Sequence, residues 1–152
     1  MTQSNDKVWV LLPNGSYYPM GAGISSLKEI CKTALLETPH LGKSVCTREI
    51  LYHTPQLEFE GFRIKEDPVN EYLVNRYLKT GDEAKIVLVI GNELDTLTQN
   101  AVKARKITGY VCMENPGTGE GPIGSRIKGK IVYADQPTEG VFYETQRVFV
   151  AY

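Results

Sequence analysis

The fold is decided by residues 57–91, LEFEGFRIKEDPVNEYLVNRYLKTGDEAKIVLVIG, which predict a strand, a capped helix and a buried strand in direct succession. Apolar and acidic residues alternate over 57–59, and the alternation resumes after Gly61 in the opposite phase. We therefore expect a β-bulge at Gly61. Residues 84–90 are the most apolar run of the chain and are rich in valine and isoleucine, which is typical of a central strand.

The helix between these two strands is predicted over 68–79. Asp67 before Pro68 is a preferred start, because the carboxylate can accept an orphan backbone N–H and proline has none to lose. Apolar residues recur at helical spacing as far as Tyr77. Gly81 can supply the left-handed residue that ends a helix.

Strand signals dominate the rest of the chain. Strands are predicted over 8–12, 17–18, 106–114, 126–133 and 141–150. Residues 14–15, NG, are the strongest short signal for a β-hairpin. Residues 126–133 alternate between a basic and an apolar face, as half-solvated strands do. The prediction is a mainly β fold, either a β-sandwich or a partly closed barrel, in a single domain spanning 1–152.

Residues 24–37 are compatible with two structures. Ser26 and Glu29 form a possible capping box, and the apolar residues that follow share one helical face, which favours a second short helix over 26–36. The same segment also fits an extended strand, with alternate residues of 30–34 on one face. The pattern leaves helix and hairpin both open.

The composition is that of an ordinary soluble domain. Of the 152 residues, 23 % are charged and 41 % hydrophobic, and the formal net charge of −1 predicts no overall attraction to nucleic acid. No apolar run approaches the ~20 residues of a membrane helix, so no membrane partner is expected. A polar start without a secretory apolar region and an odd number of cysteines predict a cytoplasmic setting, with reduced thiols packed as small hydrophobic groups.

No sequence pattern indicates an enzyme. Residues 119–124, GEGPIG, match the dinucleotide fingerprint literally, but an alternating strand follows where that motif needs a helix N-terminus. The residues that could bind a soft metal have spacings unlike those of a zinc site; they are Cys31, His40, Cys46 and His53. A nucleophile pair of Cys46 and His53 has less support still. We expect no catalysis, no cofactor and no metal.

The order of these signals resembles that of the tail tube proteins, or major tail proteins, of tailed bacteriophages and of related contractile injection machines. Residues 17–26, YYPMGAGISS, are similar to the family's early strand and glycine turn. Residues 56–61, QLEFEG, followed by the helix, 80–82 and the apolar strand, are similar to its middle. The strands predicted at 107–114 and 127–133 resemble its final core strands.

This resemblance implies a structural virion protein of the phage tail, assembled in the host cytoplasm. Its copies would form stacked, hexameric rings, in which one sheet of every subunit joins a continuous barrel around a lumen that serves DNA ejection. The implied partners are the protein itself, tape measure, sheath or terminator proteins, and DNA that passes without sequence readout. An extended hairpin before residues 56–61 is also implied.

The candidate assembly contacts are aromatic residues, which are enriched at interfaces, and one basic strand face. They are Tyr17, Tyr18, Arg126, Lys128, Lys130, Tyr143 and Phe149. The alternative for the aromatic residues is that they line the core. Glu58 and Glu60 are candidate lumen or interface charges. Because the lumen of the family is usually acidic, the resemblance places the basic face away from it.

Two other functions are compatible with the sequence. A different tail or neck component, such as a tail terminator or a head–tail connector, would form rings that do not stack. A small β-rich nucleic-acid-binding module would combine the same three basic residues with Tyr133 or Tyr143 as a stacking surface. An enzyme would have to use Cys46, His53 or a pair of carboxylates.

Overall fold

The computed structural model describes residues 6–42, 44–117 and 125–152. These residues form nine strands, one α-helix and one 3-10 turn, which confirms a mainly β fold with a flanking helix. The strands are β1 (Asp6–Leu11), β2 (Tyr17–Pro19), β3 (Ile24–Thr38), β4 (Thr47–Phe62), β5 (Lys85–Thr98), β6 (Ala101–Pro116), β7 (Arg126–Tyr133), β8 (Thr138–Tyr143) and β9 (Val148–Ala151). The helix α1 is Pro68–Val74, and the 3-10 turn is Gly81–Ala84.

All strand pairs in the described residues are antiparallel, and the main sheet has the order β2-β1-β5-β6-β7-β4-β3. Strand β6 is the branch point of this sheet. One side of β6 pairs with β5. The other side pairs first with β8, as far as Lys106, and then with β7, from Gly109 onward. The sheet therefore divides at the middle of β6, and β8 carries β9 away from β7.

Two hydrophobic clusters lie on opposite faces of β1 and β5. Val8, Val10 and Leu88 belong to the larger cluster, which also contains residues of α1, β4, β6 and β7. Trp9 and Val89 belong to the smaller cluster, which is closed by Phe142 of β8. Because both faces are covered there, residues 86–91 of β5 form a buried central strand, as the apolar run at 84–90 predicts, whereas residues 94–98 of β5 are exposed.

The start of α1 follows the prediction, but its end does not. The Asp67 carboxylate accepts the Asn70 N–H at 2.8 Å, and Pro68 is the first helical residue. The α-helix ends at Val74 instead of residue 79. The last turns are held by bonds to the third preceding residue, and Leu78 has a φ of +62°. All but one of residues 75–79 are exposed, so little buried apolar surface holds this second part in a helix.

The second helix predicted over 26–36 is wrong, because this segment is strand β3. Its local pattern fits a helix, but β4 offers a partner along the whole segment, from Ile24 opposite Gly61 to Thr38 opposite Thr47. Long-range pairing therefore overrides a weak helical preference. The result is the extended hairpin that the resemblance implies at this place.

The bulge expected at Gly61 lies on the opposite strand. The register of β3 shifts between Ile24 and Ser26, whereas β4 keeps a regular register with β7. Gly61 is required for a different reason, because a Cβ atom there would lie 2.1 Å from the Gly23 carbonyl oxygen. The two backbones approach each other too closely for any side chain.

Asn70 joins α1 to the ends of two sheet segments. Its side chain is 1 % exposed. The amide oxygen accepts the Ile64 N–H at 3.0 Å, and the amide nitrogen donates to the carbonyl oxygens of Phe62 at 2.9 Å and Ala22 at 3.4 Å. This buried polar residue is therefore fully used in placing the helix on the sheet.

We expect Asn70→Ala to lower the free energy of unfolding by about 2–4 kcal/mol, because it removes the buried Asn70 amide and its hydrogen bonds to the backbone of Phe62 and Ile64. Urea denaturation followed by circular dichroism measures the change. Asn75→Ala is the control, since Asn75 is exposed at the end of α1 and its replacement should cost less than about 1 kcal/mol. Equal losses in both variants would contradict this role for Asn70.

We expect Gly61→Ala to cost more than about 2 kcal/mol, because the backbone of Gly23 would have to move. Gly21→Ala is a matched control in the same glycine turn, where a Cβ atom meets nothing within 4 Å. Its effect should stay within about 0.5 kcal/mol. The comparison uses thermal and urea unfolding. A Gly61 variant as stable as the control would show that the two segments do not pack this closely.

Candidate assembly surface

The most exposed part of the sheet is a projecting hairpin. The last pair between β4 and β7 joins Gln56 to Val132. Beyond that pair, β3 and β4 continue alone as a two-stranded ribbon that ends at Thr38 opposite Thr47. We call residues 31–55 the arm, of which Lys43 is not among the described residues. An isolated two-stranded ribbon is marginally stable, so the arm needs support from another surface.

The arm exposes an unusual amount of apolar side chain. Five of its large hydrophobic residues are exposed to between 45 % and 60 %; they are Leu35, Leu36, Ile50, Leu51 and Tyr52. Leu35 and Ile50 are cross-strand partners, so their side chains lie next to each other on one face of the ribbon. Leu41 and Val45 in the connecting loop are even more exposed. Leu35 and Leu36 are consecutive in the strand and lie on opposite faces, so both faces of the ribbon expose apolar surface, which favours contact with another molecule.

Polar contacts within the arm are few and exposed. The Thr33 hydroxyl lies 3.0 Å from His53 Nδ1, and Arg48 Nε lies 3.3 Å from Glu37 Oε1. Both side chains of the latter pair are more than half exposed, so solvent weakens the ion pair. These contacts help to set the register of the ribbon but cannot replace a buried face.

The base of the arm is held by a cluster around Glu29. The Glu29 carboxylate accepts hydrogen bonds from both terminal nitrogens of Arg105 in β6, at 3.1 and 3.3 Å, and from the Tyr133 hydroxyl in β7. Burial, with the Glu29 hydrogen bond as a second cause, raises the pKa of Tyr133 above its ordinary value. Strand β3 is therefore joined, at the base of the arm, to β6 and β7, which lie 76 and 104 residues farther along the chain at these contacts.

One face of the strands β3, β4, β7 and β6 is charged. Glu58 lies between Lys28 and Lys130 in neighbouring strands, and Glu60 pairs with Lys128. Glu60 Oε1 also lies 3.8 Å from Arg126 Nη2. The residues of this charged face are Ser26, Lys28, Glu58, Glu60, Cys112, Glu114, Arg126, Lys128 and Lys130.

The charged face is a single mixed surface. The sequence pattern predicts Arg126, Lys128 and Lys130 as a basic face separate from the carboxylates Glu58 and Glu60. The structure interleaves them, because successive strands place acids beside bases. The basic residues therefore cannot point away from a lumen that the two glutamates line.

The N-terminal tyrosines occupy different environments. Tyr17 is 7 % exposed, with its ring edge against Phe142 at 5.6 Å between centroids, and burial raises its pKa. Tyr18 is half-buried, its hydroxyl accepts a hydrogen bond from Asn14 Nδ2 at 3.0 Å, and Arg147 lies 4.9 Å above its ring. Tyr17 is therefore a core residue, whereas Tyr18 packs against the larger cluster and is only half-buried.

The C-terminal aromatic residues lie at the edge formed by β8 and β9. Tyr143 is 38 % exposed and pairs with Val148, whose side chain is 46 % exposed. Phe149 packs against the smaller hydrophobic cluster and is half-buried. Tyr143 thus presents part of its ring at the surface, and Phe149 mainly supports the core.

The cysteines and histidines form no metal site in the part of the chain that the structure describes. Cys31 and Cys112 are exposed free thiols, so the prediction that the cysteines pack as small hydrophobic groups is wrong for these two. His53 contacts Thr33, and His40 contacts Thr47. The residues 119–124 that match the dinucleotide fingerprint lie outside the described residues.

The extended hairpin was implied only by the resemblance, and neither its exposed apolar side chains nor the cluster at its base was predicted from the residues. Leu35, Leu36, Ile50 and Leu51 break the apolar–polar alternation of an ordinary strand, which was an available signal. The partnership of Glu29 with Arg105 had no signal at all, since 76 residues separate them.

No protein-family model matches this chain, and no curated protein matches its sequence. The resemblance to tail tube proteins therefore stays a prediction. Within the described residues, no helix is long and apolar enough to cross a membrane.

We expect the stability contributed by Tyr133 to be fully present below the unfolded tyrosine pKa of about 10 and lost at higher pH, because its folded pKa is raised. Between about pH 8 and pH 11, urea midpoints of the unmodified protein should therefore fall more than those of Tyr133→Phe. Tyr77→Phe, at an exposed position, is the control and should keep the original slope. Identical slopes for all three proteins would contradict the prediction.

Proposed function

We propose that this protein is a structural subunit that assembles into rings and, by stacking of the rings, forms a phage tail tube through which DNA passes. The observation that carries the proposal is a sheet of four strands, β6-β7-β4-β3, in which β3 and the end of β6 beyond β5 have no further strand partner among the described residues, with an apolar arm at the β3 edge. A virion tail built in the host cytoplasm, without enzymatic activity, follows from this function.

Each edge of this sheet has a stretch without a strand partner in the described residues, although α1 and the 3-10 turn also contact β6. In the described residues, β3 pairs with β4 alone over its 15 residues. The last part of β6, residues 111–116, pairs with β7 but extends past the end of β5, whose first pair is Lys85 with Tyr110. Long unpaired edges are unfavourable for a monomer because they bind other strands.

Pairing of β3 with the β6 edge of the next copy would be a head-to-tail contact. Contacts of this kind produce closed rings when the rotation between copies closes, and a hexamer is the form that the resemblance implies. In such a ring the four-stranded sheets join into one continuous barrel, so neither edge remains exposed.

The arm gives a second reason for self-association. Its exposed leucine, isoleucine and tyrosine side chains are supported on the monomer by only a two-stranded ribbon. Burying them against another copy would remove apolar surface from water and stabilise the ribbon. An extended hairpin here also agrees with the pattern of the tail tube family, whereas a helix over 26–36 would not.

The nucleic-acid-binding alternative has less support. Tyr133 forms a hydrogen bond to Glu29 and is half-buried, and it packs against the main core. It therefore does not extend a basic stacking surface with Lys130. A tail terminator or a connector would use the same edges, and only ring stacking distinguishes it from a tube protein.

We expect negative-stain electron microscopy of the concentrated protein to show rings or tubes. The double variant Leu35→Ser/Ile50→Ser should stay folded, because both positions are about half exposed, but should lose assembly at least tenfold in sedimentation assays. Leu78→Ser/Leu94→Ser is the control, since it removes two exposed leucines outside the arm.

Two results would count against the proposal. One is a strictly monomeric protein at high concentration, even in the presence of other tail proteins. The other is a variant of Leu35 and Ile50 that assembles as well as the control. Single rings that never stack would favour the terminator or connector instead.

A further inference from the structure

Both histidines of this chain lie on the arm. The sequence contains two, His40 and His53, and both are exposed. Histidine is the side chain whose ordinary pKa makes it change charge between pH 5 and 8. A response of this protein to mild acid is therefore expected to originate in the arm, which is also the surface that carries the exposed apolar side chains.

His53 lies beside an apolar pair on one face of the ribbon. Its Nδ1 is 3.0 Å from the hydroxyl of Thr33 in the opposite strand. Thr33 and Leu35 are two residues apart in β3, so they share a face. Their partners in β4 are His53 and Ile50. The imidazole therefore lies next to the Leu35–Ile50 pair, and Cys31 is the titratable group two residues before Thr33 on the same face.

His40 is placed in a similar way at the other face of the ribbon. It contacts the hydroxyl of Thr47, which is the cross-strand partner of Thr38. Leu36 shares a face with Thr38, because the two are two residues apart, and it is 45 % exposed. The charged group on this face is Glu49, the partner of Leu36, and it is exposed. Each face of the arm thus has one histidine near an exposed leucine.

The surroundings of the two histidines offer little compensation for a positive charge. Among the described residues, neither forms an ion pair, and each has a threonine hydroxyl as its polar partner. The ion pair of the arm joins Glu37 to Arg48. Residues 31–55 contain three basic and two acidic side chains, so the net charge of the arm is +1 with neutral histidines and +3 with both protonated.

We propose that protonation of His40 and His53 releases the arm from another copy, so that subunits associate near neutral pH and separate below about pH 6. This inference rests on the proposed function and adds its regulation. Burying an imidazolium beside leucine and isoleucine costs free energy unless the contact supplies a counter-charge. The buried arm therefore accommodates neutral histidine, and proton binding competes with association. Association is strong above the ordinary range of histidine and is lost as the pH falls through it.

The first test measures, by sedimentation, the protein concentration above which rings or tubes form. This concentration should be at least tenfold higher at about pH 5.5 than at about pH 7.5, because a group that must lose a proton on association weakens it about tenfold per pH unit below its pKa. Ordinary carboxylates stay ionised over this range. The double variant His40→Gln/His53→Gln should assemble at the same concentration at both pH values.

Lys32→Gln/Arg48→Gln is the matched control. It also removes two positive charges from exposed positions of the arm, but lysine and arginine stay charged throughout this pH range. This control should keep the tenfold difference between the two pH values. A histidine variant that still disassembles in acid would overturn the inference.

Failure of the inference is distinguishable from failure of the proposed function. Tubes of the unmodified protein that are equally stable at both pH values would overturn the inference and leave the proposed function standing. Absence of rings and tubes at about pH 7.5 would overturn the proposed function, and the inference with it.

The second test separates release of the arm from acid unfolding. The circular dichroism spectrum and the urea midpoint of the dilute monomer should be the same at both pH values, because the two histidines are exposed there. Return to about pH 7.5 should restore assembly. Loss of the monomer fold in parallel with disassembly would show that acid acts on the whole domain, and would overturn the inference.

Discussion

The pairing of β6 with three partners is the constraint on which the rest of the structure depends. Its 16 residues hold β5 on one side and divide the other side between β8 and β7. Near the division, a Cβ atom on Gly109 would lie 2.5 Å from the Val132 carbonyl oxygen, so β7 approaches closely only because this residue is glycine. The division sends β8 to cover the smaller cluster and leaves β7 to support the four-stranded sheet and the arm.

Polar contacts then set how the remaining parts attach to this framework. Asn70 holds α1 against the turn before β3 and the end of β4. Glu29 joins the base of the arm to β6 and β7. These two residues act at different places along the β3–β4 hairpin. Asn70 anchors the end of the hairpin next to α1, and Glu29 lies where the two-stranded ribbon begins. The hairpin is therefore directed by side chains, whereas its length is set by backbone pairing.

The proposed function uses the separation between two kinds of surface. Apolar side chains on the arm favour a dry contact with another copy, because their burial removes surface from water. The alternating acids and bases of the charged face favour water or a hydrated polymer, since a packed contact would have to desolvate each charge. One long hairpin carries both surfaces. The charged residues of β3 and β4 lie in the part that pairs with β7, and the exposed apolar residues lie on the arm, residues 31–55.

The sequence by itself determined the elements whose signals are local: the start of α1 at Asp67 and Pro68, the turn at residues 14–15, the apolar central strand, and the mainly β class. Tertiary structure alone decided that 24–38 is a strand and that Glu58 lies between Lys28 and Lys130. A strand's alternation reveals which residues share a face, but not which strand lies beside it. Strand neighbours depend on contacts between distant residues, and those contacts produced the arm and the charged face.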